Sequence, residues 1–296
     1  MNSSVALGGS GKIGILLRLG RVSNLPTVWS NVLAGVLLAK PDASLFTLLQ
    51  LCWAVSAFYI GGMYLNDAFD REIDARERPT RPIPSGAISA ASVFGIGFGL
   101  LGAGMLLLLP FGARAMLYGA ALVATILLYN TWHKGNPASP LIMGLCRALV
   151  YLSAAIAVNA TGPQTVWLAA LALFAHVIGL TYAAKQESLD RITRLWPLAI
   201  LALPLLLLGP GVWQQASVLG LLMLLAVALA DAVALRLLVK RSRPGAVPRA
   251  VAQLIAAIAL VDGLALAANG APWWALLACV LAWALTRVFQ RVIPGT

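Results

Sequence analysis

Charge is what this sequence has least of. Only 10% of its 296 residues are Asp, Glu, Lys or Arg, and only ten are acidic, against 60% hydrophobic side chains. The apolar residues come in runs long enough to make the bilayer the solvent of the chain, which excludes an ordinary water-soluble domain. The usual length rule of about two soluble domains therefore does not apply. A disordered cytoplasmic tail over residues 1–12 and one transmembrane unit over 13–296 are expected instead. Cysteine is equally scarce. Cys52, Cys146 and Cys279 each fall inside an apolar run with no paired spacing, which argues against a zinc site or a disulfide framework. The net charge of +11 does not indicate nucleic acid, because the basic residues form no block or interleaved stripe. Anionic lipid and phosphate explain them better. No internal repeat of the kind many transporters carry is visible.

Against this background one stretch stands out, because Asn66 to Gly86 holds five of the ten acids. Asn66, Asp70 and Asp74 recur every four residues, which lines them along one face of a helix. An amide and two carboxylates suit Mg²⁺, which takes one or two carboxylates from a protein and completes its shell with water and substrate phosphate. Arg71, Arg78 and Arg81 lie close by in sequence and could meet phosphate oxygens, while Pro79, Pro82 and Pro84 deny the helix a regular continuation. The stretch reads as a metal–diphosphate cradle at a helix end. The plainer alternative is a solvated loop in which acids and bases pair at helical spacing, Asp74 with Arg78 for example. Its position directly after an apolar span favours the cradle.

Asn66-x-x-x-Asp70-x-x-x-Asp74 followed by Arg81-Pro82-Ile83-Pro84-Ser85-Gly86 resembles the first aspartate-rich motif of the UbiA-type intramembrane prenyltransferases. The resemblance implies an all-α, multi-pass bundle around a central cavity. It also implies Mg²⁺ as cofactor, a polyprenyl diphosphate as donor and a lipophilic, often aromatic, acceptor. It covers roughly Ile15 to Asp190. The loop Tyr129-Asn130-Thr131-Trp132-His133-Lys134 is similar to one that follows the fourth helix of the family, which makes Lys134 a candidate diphosphate contact; an interfacial anchor is the other reading. Where the family places its second motif this chain has Tyr182-x-x-x-Gln186-x-x-x-Asp190. Tyr182 and Asp190 match the aromatic-acceptor pattern, but Gln186 stands where the middle acid belongs. Gln186 still offers an oxygen, Glu187 can compensate from the neighbouring face, Lys185 can hold phosphate, and Asp190 is the remaining carboxylate ligand. Asp190 and Glu187 are also the nearest candidates for a base. Pairing of Glu187 with Arg191 is the structural alternative.

The apolar runs number ten by eye, one more than the nine of the family core, so nine to ten spans are expected. The first helix is expected to run from Arg18 through Ala39 without a cleavable signal, with Asn24 and Asn31 facing either the cavity or a neighbouring helix. Gly95, Gly97, Gly99, Gly102 and Gly104 in the third span permit close packing. Arg147 lies deep in the fifth span, where a guanidinium must meet a partner or water, so it is expected to face the interior, as a diphosphate contact or in an ion pair. Asp231 and Asp262 read as helix–helix hydrogen-bonding groups, and His176 as a core residue. Basic residues cluster before the first span and after the even-numbered ones, with Lys40 and Arg114 as exceptions. By the positive-inside rule both termini and both acidic motifs then face the cytoplasm, in a bacterial inner membrane. A transporter or lipid-binding protein would also explain the charges within spans, but leaves the Asn66/Asp70/Asp74 face unused. A family member that has lost the reaction would carry Gln186 as its mark.

Overall fold

In the computed structural model, which describes residues 11–159, 161–185, 196–240 and 245–295, the apolar runs become helices and no strand occurs among the described residues. Residues 1–10 of the expected tail lie outside the described part, and Lys12 opens the first helix, α1 (Lys12–Leu19). The long entry helix expected from Arg18 to Ala39 is broken. Arg21 takes a left-handed backbone (φ 42°), a 3₁₀ turn Val22–Asn24 follows, and α2 (Leu25–Ala39) starts afresh with Pro26 in its first turn. Proline is favoured there because the first-turn N–H has no helical partner to lose. The break turns the Arg21 side chain inward.

α3 (Leu45–Phe69) is capped by Ser44, whose hydroxyl accepts from the Thr47 amide at 3.1 Å. The short α4 (Arg71–Glu77) continues from it through Asp70. α5 (Ala90–Leu108) and α6 (Gly112–Trp132) form a hairpin about Gly112, whose φ of 84° suits glycine. Then come α7 (Ser139–Val158), α8 (Gln164–Lys185), α9 (Leu203–Gln215), α10 (Val218–Lys240), α11 (Ala246–Ala267) and α12 (Trp273–Phe289). The proline-bearing run near residue 200 is a 3₁₀ segment, Trp196–Ala202, feeding α9. The extended rise of a 3₁₀ turn brings the pair to roughly 30 Å, enough to cross.

Among the described residues eight stretches are long and apolar enough to span a membrane. One of them, Ala90–Trp132, is the α5–α6 hairpin, and the shorter apolar α12 adds a further pass, so the described residues make ten traverses. Rows of leucine and valine such as Leu222, Leu225, Leu229 and Val233 of α10 are exposed on the outside. Such a surface belongs against lipid. α11 is buried along almost its whole length and packs against α2, α8, α10 and α12, forming the centre of the bundle. The chain is an integral membrane protein of all-α, multi-pass architecture.

Only part of the glycine stripe of α5 is used for packing. Gly97 and Gly104, seven residues apart on one face, meet α3, and a Cβ on Gly97 would lie 2.7 Å from Leu65 Cγ. Gly61 of α3 returns the contact, since a Cβ there would lie 2.8 Å from the Gly97 carbonyl oxygen. Gly95, Gly99 and Gly102 have nothing within 4 Å of a built Cβ. The helical period divides the five glycines between two faces, and only one is covered. Gly61→Ala is therefore expected to destabilise by about 1–3 kcal/mol through overpacking, while Gly99→Ala is neutral or stabilises by up to about 1 kcal/mol. Thermal unfolding of both variants in one detergent checks this; equal effects would contradict the packing.

Candidate functional site at the charged end of the bundle

The Asn66–Asp70–Asp74 row survives the change from α3 to α4. Consecutive backbone bonds run from Asp70 N to Asn66 O (3.0 Å), Asp74 N to Asp70 O (2.9 Å) and Arg78 N to Asp74 O (2.8 Å), so the three side chains stay on one line. All three are buried. After Glu77 the prolines take over, and the loop folds back by turns such as Ser85 N to Arg81 O at 2.9 Å, closing at Gly86 (φ 76°). Ile83 and Ile88 anchor it in a small apolar cluster with Leu19, Tyr64, Ala68 and Val93.

That fold-back brings Arg81 over the helix end. Its guanidinium donates to Asp74 Oδ2 at 2.6 Å and to Asp67 Oδ1 at 3.4 Å. Arg21 reaches Asp67 Oδ1 (3.3 Å) and Asn66 Oδ1 (3.4 Å) from the other side. Asp74 thus pairs with Arg81, not with Arg78 as helical spacing suggested. Asp70 Oδ2 faces His133 Nε2 at 3.3 Å and Lys134 Nζ at 3.6 Å, both just beyond the end of α6. Burial alone would raise the Asp70 pKa, but the His133 hydrogen bond and the charges of His133, Lys134 and Arg81 outweigh it and hold the carboxyl below its ordinary range. The His133 ring stacks on Tyr129 with centroids 4.8 Å apart. Asn66 Nδ2 donates to Asn130 Oδ1 (3.3 Å), and Asn130 Nδ2 donates to the Gly62 carbonyl (3.0 Å), which fixes α6 against α3.

These groups open into a cavity of 330 Å³. Its polar end is lined by Arg21, Asn66, Asp70, Arg78, Arg81, His133, Lys134 and Lys185; deeper in lie Val28, Phe58, Leu122, Ile126, Val150 and Ile258. Lys185, at the end of α8, is held there by the Asn136 carbonyl (2.6 Å) and Ser139 Oγ (2.9 Å). Arg147 and Tyr59 line a second polar level, about 10 Å from the first, since Tyr59 precedes Asn66 by two turns of α3. The Arg147 guanidinium lies 5.5 Å from the Tyr59 ring centroid and donates to Asn31 Oδ1 at 2.8 Å. Asn24 also lines the cavity and donates to the Gly295 carbonyl at 3.0 Å.

The structure thus brings together Asn66, Asp70, Arg78, Arg81, Lys134, Arg147 and Lys185 around one space, with Asp74 immediately behind Arg81. It does not bring in Arg71, which pairs with Glu72 at 3.0 Å and lies 5.8 Å from the Phe94 ring centroid. Tyr182 packs half-buried against the main core rather than lining the cavity. Gln186, Glu187 and Asp190 lie outside the described residues. Sequence reading passed over Arg21, Asp67, Asn130 and His133. Each sat within a stretch already singled out, but only the break before α2 and the close of α6 on α3 reveal their roles.

A model of the UbiA prenyltransferase family matches residues 27–252. The chain is 34% identical over 170 residues to the digeranylgeranylglyceryl phosphate synthase of Methanopyrus kandleri, which covers 55% of this chain and 59% of that protein. It is 27% identical over 187 residues to the protoheme IX farnesyltransferase of Exiguobacterium sibiricum, covering 58% and 60%. The matched part therefore spans less than two thirds of these relatives. Among solved structures, a digeranylgeranylglyceryl phosphate synthase superposes with a TM-score of 0.62 at 20% identity, covering 90% of this chain and 99% of that one. A UbiA homolog from Archaeoglobus fulgidus bound to DMAPP and Mg²⁺ gives 0.54 at 13% identity, covering 94% and 99%. These two likenesses bear on the fold alone. The family match begins within α2, takes in the whole Asn66–Asp74 row and continues into α11, and the protein belongs to the UbiA prenyltransferase family.

Proposed function

We propose that the protein is an Mg²⁺-dependent intramembrane prenyltransferase that moves the prenyl group of a polyprenyl diphosphate onto a lipophilic acceptor. The observation that carries this reading is a cavity whose one end gathers Asp70, Asn66 and the cations Arg21, Arg78, Arg81, Lys134 and Lys185 and whose other end is apolar. A diphosphate belongs at the first and a prenyl chain in the second. The residues fit Mg²⁺. Among the described residues no three His, Cys, Asp or Glu side chains gather into a closed metal cage. Mg²⁺ needs none, because one or two carboxylates with water and substrate phosphate complete its shell. Asp70 and Asn66 would hold it, with Asp74 supporting the row from behind through its pair with Arg81, and Gln186, Glu187 and Asp190 are proposed as ligands from the other side. When bound, Mg²⁺ supplies charge neutralisation at the departing diphosphate.

Arg21, Arg78, Arg81, Lys134 and Lys185 point the diphosphate toward the charged end and stabilise the negative charge it gains. Arg71 is not proposed for this task. The allylic carbon–oxygen bond breaks with its electron pair leaving on the diphosphate. The apolar walls exclude water from the resulting allylic cation until the acceptor donates an electron pair to that carbon and loses a proton. An aromatic acceptor would attack through ring carbon. The name of the Methanopyrus kandleri relative favours a second possibility, a glyceryl phosphate acceptor attacking through a hydroxyl oxygen. By the distribution of basic residues the charged end is proposed to face the cytoplasm, and a bacterial inner membrane is the proposed location.

Binding of farnesyl diphosphate to the protein in nanodiscs tests the reading. Affinity is expected to need Mg²⁺ and to fall at least tenfold in Asp70→Ala, with Asp74→Ala weakened in the same sense because Arg81 loses its partner. Indifference to both chelator and Asp70→Ala in a folded protein would sink the proposal. Mass spectrometry with 4-hydroxybenzoate and with a glyceryl phosphate ether then separates the two acceptor classes.

The depressed Asp70 pKa makes a separate prediction. An ion pair of this kind stabilises fully above the unfolded carboxyl value of about 3.9 and is lost as pH falls through the lower folded value. The melting-temperature difference between wild type and Asp70→Asn should therefore shrink as pH falls below about pH 4. A difference that grows on acidification would contradict the pairing.

A further inference from the structure

Behind the second polar level lies a carboxylate that the proposed reaction does not touch. Asp262 of α11 is fully buried and accepts from three residues on two other helices. Ser30 Oγ donates at 2.5 Å, Tyr151 Oη at 2.6 Å, and Asn31 Nδ2 reaches both oxygens at 3.0 and 2.8 Å. Hydroxyl contacts that short suit a carboxylate acceptor. The same Asn31 uses its Oδ1 to accept from Arg147 at 2.8 Å, and Thr27 Oγ1, one turn earlier on α2, accepts from Arg147 Nη2 at 3.4 Å. The chain of contacts Asp262–Asn31–Arg147 thus runs from the centre of the bundle to the cavity wall. At that depth an isolated charge is expensive, so each of these two charges accounts for the other.

We propose that Asp262 is a positioning and counter-charge residue for the cavity. Through Asn31 it holds the Arg147 guanidinium against Tyr59, and its negative charge offsets that of Arg147, so that the apolar chamber can receive a cation. The second half rests on the prenyl-transfer reading. An allylic cation forming between the diphosphate and the second level would otherwise meet an uncompensated guanidinium, with few dipoles nearby to screen it. Asp262 itself touches no substrate. Its effect is on the potential of the chamber, and the diphosphate end, about two helical turns away, is held by other residues.

The test compares ligands that share a geranyl chain and carry a charged or a neutral headgroup. N,N-dimethylgeranylamine, an ammonium at neutral pH, and geraniol, its neutral counterpart, are titrated into the full-length protein in nanodiscs with inorganic pyrophosphate and Mg²⁺. Removing one unit of charge about 10 Å away at an effective dielectric near 20 corresponds to roughly tenfold in affinity. Asp262→Asn is therefore expected to weaken the ammonium about tenfold relative to geraniol, and Arg147→Met to leave it equal or tighter. Equal changes for both ligands in Asp262→Asn would overturn the proposal. Should Asp262→Asn fold poorly, the Arg147→Met/Asp262→Asn pair is expected to melt higher than Asp262→Asn alone, because no lone charge is left. A double variant no more stable than that single one also overturns it. Mg²⁺-dependent binding of geranyl diphosphate to the wild type is measured alongside. Its absence counts against the transferase reading, while the thermal comparison still judges the Asp262–Arg147 coupling.

Discussion

A charge inside a bilayer must find a partner, and most of this structure follows from how the chain meets that demand. Water cannot compensate an ion in the hydrocarbon region, so ionised side chains either retreat to an interface or are neutralised by one another. At the charged end of the bundle Asp67 and Asp74 share Arg81, Asp67 also meets Arg21, and Asp70 meets His133 and Lys134. These contacts join the approach to α2, the end of α3, the proline loop and the end of α6 at one place. The cavity opens there because the groups that cannot be buried alone are collected there.

Neutralisation by protein partners and availability to a ligand are in tension. Arg81 is committed to Asp74 by a short contact, whereas Asp70 is held by a longer pair of contacts from His133 and Lys134. The difference suits the proposed chemistry. Asp70 can exchange those partners for a metal, while the Asp74–Arg81 pair keeps the loop folded over the site. Burial of Asp74 makes that pair structural as well, since breaking it would strand a charge away from water.

The fold was largely legible in the sequence. Long apolar runs give the helices that make ten traverses among the described residues, and the start of α2 and residue 295 meet where Asn24 donates to Gly295. The Asn66–Asp70–Asp74 line was legible because a four-residue spacing is a local property of a helix. What sequence could not show depends on which helices meet. Arg21 turns inward only because the expected entry helix breaks at a left-handed residue. Arg71 and Arg81 look alike in the sequence, yet one is drawn to Glu72 and Phe94 and the other folds back over Asp74. Asp262 had no visible partner, because Ser30, Asn31 and Tyr151 come from helices more than a hundred residues away in the chain.

The most direct measurement is a structure of the protein with a non-hydrolysable prenyl diphosphate and Mn²⁺ in place of Mg²⁺, with the metal located by its anomalous scattering. The expected result is a metal with oxygen ligands at about 2.1 Å that include Asp70, diphosphate oxygens against Arg78, Arg81 and Lys134, and a prenyl chain extending past Tyr59 into the apolar wall. A diphosphate bound away from the Asn66–Asp74 row, or a metal that leaves Asp70 paired only with His133 and Lys134, would contradict the proposed prenyl transfer at its centre.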